Sequence, residues 1–309
     1  MNSIFKFLML AFLSIAIISC GDDEEMPMQE EETNTIVDIA SGDAQFSTLV
    51  AALQRVDLVT TLQGDGPFTV FAPTNAAFTA LGVDLATISD DALSEILLYH
   101  VLGAEVKSTD LADGQTYAST AATTGPGGTA LSMLVEKSAS TVKVNNTASV
   151  TTADVSADNG VIHIVDAVIT PLDLVGHAQA NTNFSSLVGA LAGAPGELVS
   201  VLQATGPYTV FAPVNSGFDA ITDVVDTLTA DQLASVLTYH VVSGANVLST
   251  DLSNNMTVTA VNGQEFTVLI GDKVQIQDAG GNTSDVLITD VQATNGVIHA
   301  LSNVIIPSL

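Results

Sequence analysis

The sequence predicts an α+β fold that occurs twice in one chain. The first observation is an internal duplication. Gly66-Pro67-Phe68-Thr69-Val70-Phe71-Ala72-Pro73 returns as Gly206-Pro207-Tyr208-Thr209-Val210-Phe211-Ala212-Pro213. Tyr99-His100-Val101 returns as Tyr239-His240-Val241, and Asn159-Gly160-Val161-Ile162-His163 as Asn295-Gly296-Val297-Ile298-His299. Three blocks in one order and at nearly constant spacing mean a duplicated domain. The copies are far longer than the roughly 20–50 residues of a solenoid repeat, so each should own a core. The second observation is that helical periodicity comes first in each copy and strand alternation later, which points to α+β rather than parallel α/β. The copies run over 36–172 and 173–309, with almost nothing between them. So short a connection predicts a restricted angle between the domains.

The first residues belong to neither copy. Residues 1–19 read as a signal peptide: Lys6 is the one charge before an apolar run from Phe7 to Ile18, followed by Ser19-Cys20-Gly21. The run is short for a bilayer span, which takes about 20 residues. Cys20 is the only cysteine of the chain and stands at the cleavage boundary, where Ile17-Ile18-Ser19-Cys20 resembles a lipobox. The expectation is a lipidated Cys20 and an exported protein that no intrachain disulfide can staple. Residues 20–35 form an acidic tether holding Asp22, Asp23, Glu24, Glu25, Glu30, Glu31 and Glu32 with little to bury. This run resembles the surface-export signals of Bacteroidetes lipoproteins, and it reads equally as a solvated spacer. The expected location is therefore the outer membrane, reached through the lipid anchor and facing the exterior.

Within each copy the elements follow in order. Phe68–Phe71 and Tyr208–Phe211 are β-prone runs closed by Ala-Pro, since proline cannot donate to a central ladder. Asn75 and Asn215 are placed to cap the short helices that carry Phe78 and Phe218. Ser89 opens a helix with Leu93, Ile96, Leu97, His100 and Val101 on one face. Its partner opens on the capping box Thr229-Ala230-Asp231-Gln232 and repeats the stripe through Leu233, Val236, Leu237, His240 and Val241. Thr141–Asn145, Lys273–Gln277 and Gly160–Val165 have the pattern of strands. Residues 118–132, rich in Ala, Thr and Gly, make this part of the first copy longer and read as a mobile loop.

Taken together, Thr69 to Phe78, Tyr99-His100 and Asn159 to His163 resemble the three signature segments of the fasciclin domain. Thr209 to Phe218, Tyr239-His240 and Asn295 to His299 resemble a second set. The resemblance implies two fasciclin-like domains, each with helices packed on a wedge of two β-sheets. It further implies an extracellular role in adhesion or matrix contact, without catalysis, with Tyr99, His100, Tyr239 and His240 as an interaction or structural motif. Val214 departs from the pattern, because the first copy has Thr74 there and one capping hydroxyl is lost.

Charge narrows the partners. The formal net charge is −28, and each copy carries −11. That balance excludes nucleic acid, whose phosphates need Lys and Arg, and it opposes docking on anionic headgroups. It favours solubility and weak association of divalent cations. The expected partners are an extracellular protein or polysaccharide, with the membrane reached only through the lipid.

Candidate chemistry is sparse. No two histidines have the spacing of a zinc site, and no cysteine ligands exist. His100 and His240 on a helix stripe, and His163 and His299 among valines, read as buried structural rings. His177 near the junction has no histidine counterpart in the first copy. No Gly-x-Ser-x-Gly elbow or phosphate-cradling loop occurs. Asp278 to Asp285 offers oxygen ligands without EF-hand spacing, so a simple turn is expected rather than calcium. The reading is a non-enzymatic adhesion or interaction protein without cofactor or metal. The alternative is an extracellular glycan- or small-ligand-binding module serving an uptake system.

Overall fold

The computed structural model describes residues 34–225 and 227–309. The signal segment, Cys20 and the acidic run to Glu32 lie outside the described residues. The first domain opens with α1 (Ile36–Gly42), α2 (Ser47–Arg55) and α3 (Val59–Leu62), then β1 (Phe68–Pro73), α4 (Asn75–Leu81) and α5 (Asp90–Tyr99). Strands β2 (Val101–Leu102), β3 (Gly114–Ser119), β4 (Ser132–Ser138), β5 (Thr141–Val144), β6 (Ala148–Ala157) and β7 (Gly160–Val165) follow. The second domain repeats the plan. It has α6 (Leu174–Ala180), α7 (Ser185–Gly193), α8 (Leu198–Leu202), β8 (Tyr208–Pro213), α9 (Asn215–Asp219), α10 (Thr222–Val225) and α11 (Ala230–Tyr239). Its remaining strands are β9 (Val241–Ser243), β10 (Met256–Thr259), β11 (Glu265–Ile270), β12 (Val274–Gln277), β13 (Thr283–Ala293) and β14 (Gly296–Leu301).

Each domain carries one seven-stranded mixed sheet, ordered β2-β1-β7-β6-β5-β4-β3 in the first and β10-β11-β12-β13-β14-β8-β9 in the second. Only β1–β7 and β8–β14 run parallel. The sheet is strongly bent. Phe71 of β1 and Met133 of β4 share one core, although four ladder steps would hold them about 19 Å apart in a flat sheet. The bend falls where β6 slips register against β7, between Val150 and Thr152 and again between Thr152 and Val155. The expected wedge of two sheets is thus one sheet folded about β6, with a core of its own inside the fold. A second core, formed by Phe46, Leu49, Leu53, Phe78 and Leu97, lies between the other side of the sheet and the helices. The second domain has the same two cores.

Several local expectations are corrected. Asn75 does not cap α4: the Thr74 hydroxyl accepts the Ala77 amide, and Asn75 instead accepts the Thr48 amide and donates to Ala44 O. Asn215 likewise braces α7 through Ser186, and Val214 leaves α9 without a side-chain cap. Val101 and Val241 leave the helix stripe and begin β2 and β9, because α5 and α11 end at the preceding tyrosines. Residues 118–132 are not a free loop. Ser119 and Ser132 pair at the ends of β3 and β4, Ala122 and Leu131 are fully buried, and the rest of the stretch reaches the second domain.

Candidate functional site

Each of the three repeated blocks is explained by a buried polar junction. In the first, Thr69 on β1 donates its hydroxyl hydrogen to Ala104 O at 2.6 Å and accepts the Val106 amide at 2.8 Å. Thr209 does the same between Ala245 and Val247. In the last block, Asn159 accepts the Ile36 amide at 3.0 Å and donates to Leu62 O and Gly64 O at 2.8 Å each. Asn295 repeats this with Leu174, Leu202 and Ala204. The asparagines therefore tie the first helix of each domain to the end of its third. Glycine follows because β1 and β7 approach too closely for a side chain. A Cβ on Gly160, where φ is +152°, would sit 2.0 Å from Phe68 O.

The Tyr-His block is buried. Tyr99 is fully enclosed, donates to Ser132 O at 2.7 Å and accepts from Asn145 at 3.0 Å. Burial raises its phenol well above the ordinary value. Tyr239 donates to Glu265 O at 2.7 Å and stacks edge-on against Phe266. His100 ends α5: its Nδ1–H donates to Ile96 O at 2.7 Å, and its Nε2 accepts the Ile169 amide at 2.9 Å. His240 holds Val236 O at 2.8 Å and the Ile305 amide at 3.1 Å. One donated and one accepted bond require the neutral ring, and burial lowers both pKa values to about 4. Both nitrogens are occupied, so neither ring is free to ligate a metal or meet a partner at the surface.

Serine, aspartate and histidine do converge, once in each domain. Ser108 donates both its amide and its hydroxyl hydrogen to Asp154, whose own amide donates to His163 Nδ1 at 3.2 Å. The arrangement returns as Ser249, Asp290 and His299. It is not a catalytic triad, because the serine is bonded to the carboxylate and the imidazole faces away, with Nε2–H given to Val106 O or Val247 O. Burial works to raise the Asp154 carboxyl, and the Ser108 bonds outweigh it, leaving it below the usual range. These clusters pin the bend of β6 and β13, where Asp154 and Asp290 take positive φ.

The Asp278 loop is a turn. Its carboxylate accepts amides from Gly280 and Asn282 at 2.9 Å and from Ile306 at 3.2 Å. Among the described residues, no group of three His, Cys, Asp or Glu side chains could hold a metal ion. Cavities in and beside the cores measure about 20–40 Å³, room for a water or two, whereas two open clefts of the second domain, one beside Asp278 and Asn303 and one beside Gln179 and Ser185, measure about 300 and 410 Å³.

The surface that sequence reasoning missed lies between the domains. The β3–β4 hairpin of the first domain docks on α6, the turn Thr182–Phe184 that follows it, and the second domain's Asn246 and Gln292. The Tyr117 hydroxyl accepts from Asn181 at 3.0 Å, and its ring meets His177 edge-on with centroids 5.7 Å apart. Gln115 Oε1 accepts the Thr182 amide and hydroxyl hydrogens at 3.2 and 3.1 Å. Ser132 accepts the buried Gln292 amide at 2.9 Å, and Pro126 O accepts from Asn246 at 3.4 Å. Burial raises the Tyr117 phenol to about 12 and lowers His177 to about 4. His177 keeps one ring nitrogen, Nδ1, without a hydrogen-bond partner. The signal for this surface was present in the sequence as the residues in which the copies differ.

The fasciclin domain model matches twice, over 44–171 and 182–307. The chain belongs to the fasciclin-domain family. Its fasciclin domains are similar to protein sll1483 of Synechocystis, 46% identical over 142 residues that cover 44% of this chain and 73% of the relative. The Synechocystis protein sll1735 is 39% identical over 137 residues, covering 43% of this chain and 96% of that protein. Human periostin is 25% identical over 280 residues, which span 85% of this chain and 30% of periostin. The matched part of rat stabilin-2 is 16% of that protein. Among solved structures, a fasciclin domain pair of the insect cell adhesion molecule fasciclin I covers 84% of this chain and 92% of its own, with 20% identity and a TM-score of 0.48.

Proposed function

We propose that this fasciclin pair is a lipid-anchored cell-surface protein that mediates adhesion or contact with extracellular protein or polysaccharide. The observation that carries the reading is the docked hairpin, which holds two similar domains as one unit. Two faces at a fixed separation let weak contacts add through effective concentration. The repeated serine, aspartate and histidine groups are consumed in holding the fold, which supports a binding role over catalysis. Lipidation of Cys20 and the acidic tether would set the pair away from the outer membrane, facing outward. With −11 on each domain, contact between such surfaces should depend on screening or on divalent cations.

The experiment is attachment and aggregation by strains that carry both domains, either one, or neither, with and without calcium. Attachment that falls sharply when either domain is removed is the expected result. Equal attachment by all strains, with growth lost on one polysaccharide, points instead to a glycan-binding module serving uptake.

A further inference from the structure

The contact between the domains is not reproduced at their free ends, although both domains carry the same elements. Superposing the repeated hydrogen bonds fixes the equivalences. Tyr99 bonds Ser132 O and Tyr239 bonds Glu265 O, so Glu265 stands where the docking hairpin has Ser132. The Ala121 amide meets Val101 O as the Val261 amide meets Val241 O, which places Thr257 at the position of Tyr117 and Asn255 at that of Gln115. The segment carrying Pro126 is replaced in the second domain by the tight turn at Asn262-Gly263.

The receiving face is equally one-sided. Asp43 ends α1 as Asn181 ends α6, so the first domain has Ile39, Asp43 and Ala44 where the socket has His177, Asn181 and Thr182. Glu105 lies between Ala104 and Val106 as Asn246 lies between Ala245 and Val247. Thus the aromatic ring and the long segment exist only in the first copy's hairpin, and the Gln115 amide is replaced by the shorter Asn255. The imidazole and the two asparagines that receive them exist only in the second copy, His177 and Asn181 on and at the end of α6 and Asn246 in the loop after β9.

We infer that the two copies form a one-way lock, in which only the first carries the docking hairpin and only the second its socket, so the chain closes as one rigid pair and does not link end to end with further copies. An end-to-end contact would repeat the same interface without closing, which is the geometry of a filament. Here it would bring Glu265 of one chain into the buried seat that Ser132 takes against Gln292, whose side chain bonds Asn246, and so toward Glu105, the counterpart of Asn246, on the next chain. Glu105 keeps an exposed ion pair with Lys107 at 3.0 Å, and Asp43 caps its own turn through Gln45. Burying Glu265 there adds a second carboxylate to the one that Lys107 already balances, and no tyrosine is present to offset the loss of water. The same substitutions that remove the attraction therefore add a repulsion.

The test gives each surface the residues of its counterpart, which that fold already tolerates. In the purified chain, Tyr117→Thr with Ser132→Glu alters the hairpin, and His177→Ile with Asn181→Asp independently alters the socket. Calorimetry of the wild-type chain should show one cooperative transition, and each double variant should show two. Small-angle scattering should show the variants as more extended. Thr257→Tyr on the free hairpin should leave the single transition in place. Sedimentation of the wild-type chain should show no open-ended series of oligomers as concentration rises. A single transition and unchanged scattering in both double variants would overturn the lock. So would wild-type chains that link end to end.

Discussion

Asn159 Oδ1 lies 3.0 Å from the Ile36 amide, a bond that spans 123 positions and closes the first domain on itself. Its Nδ2 donates to two carbonyls at the end of α3, so the side chain must present oxygen to one side and an amide to the other. Asn159→Asp keeps the shape and the first bond but points a carboxylate at Leu62 O and Gly64 O. Each buried group left unpaired costs about 1–3 kcal/mol, and here two carbonyls lose their donor. The expected loss is about 3 kcal/mol by chemical denaturation, with Asn295→Asp similar in the second domain. A loss below 1 kcal/mol would show that water replaces the bonds.

His240 and His100 are paired at both nitrogens within the protein, which makes the Tyr-His block part of the core. Removing the His240 ring strands the Ile305 amide and the Val236 carbonyl and leaves a cavity. His240→Ala should therefore lower stability by about 1–3 kcal/mol. Partner binding by the folded fraction should be unchanged. Unaltered unfolding together with abolished attachment would instead make the ring a contact.

Burial also makes these rings sensitive to acid. His100, His177 and His240 hold folded pKa values near 4, below the ordinary 6.5. The unfolded chain takes up protons as pH falls through about 6.5 while the folded chain does not. Stability is then fully present above that point and declines toward pH 4. Each tenfold difference in proton affinity is worth about 1.4 kcal/mol. Denaturation at pH 7 and pH 4.5 should show a marked loss, and His177→Ile should shrink it. Equal stability at the two pH values would mean that the rings are solvated.

Similarity between the copies made the fold legible, and difference between them concealed the lock. The repeated Thr-Val-Phe-Ala-Pro and Asn-Gly-Val-Ile-His blocks pair as β1 with β7 and β8 with β14, so the most regular signals in the chain mark the parallel center of each sheet. The Thr229 capping box was equally readable because all its partners lie within one turn. Asn75 misled because an asparagine beside a helix start ordinarily caps it, whereas its partner here, Thr48, lies on another helix. Residues 118–132 had the composition of a loop because docking uses backbone groups and small side chains, which carry no hydrophobic period. His177 stood out in the sequence only as a histidine without a counterpart, and Tyr117 meets it through the fold alone.

We propose that Cys20 carries the lipid that holds this protein at the membrane. Cys20 is the only thiol, and it follows an apolar run and a serine at the boundary where an exported lipoprotein is cleaved. Among the described residues no single helix is long and apolar enough to cross a membrane. One acyl chain binds a bilayer only marginally and reversibly, whereas several chains on one cysteine hold firmly. Cys20→Ala should therefore move the protein out of the membrane fraction and stop its processing at the cysteine. Attachment by such cells should fall to the level of a strain lacking both domains, although each domain still folds. A variant that stays in the membrane fraction, processed in the same proportion as wild type, would separate this protein from the lipoproteins.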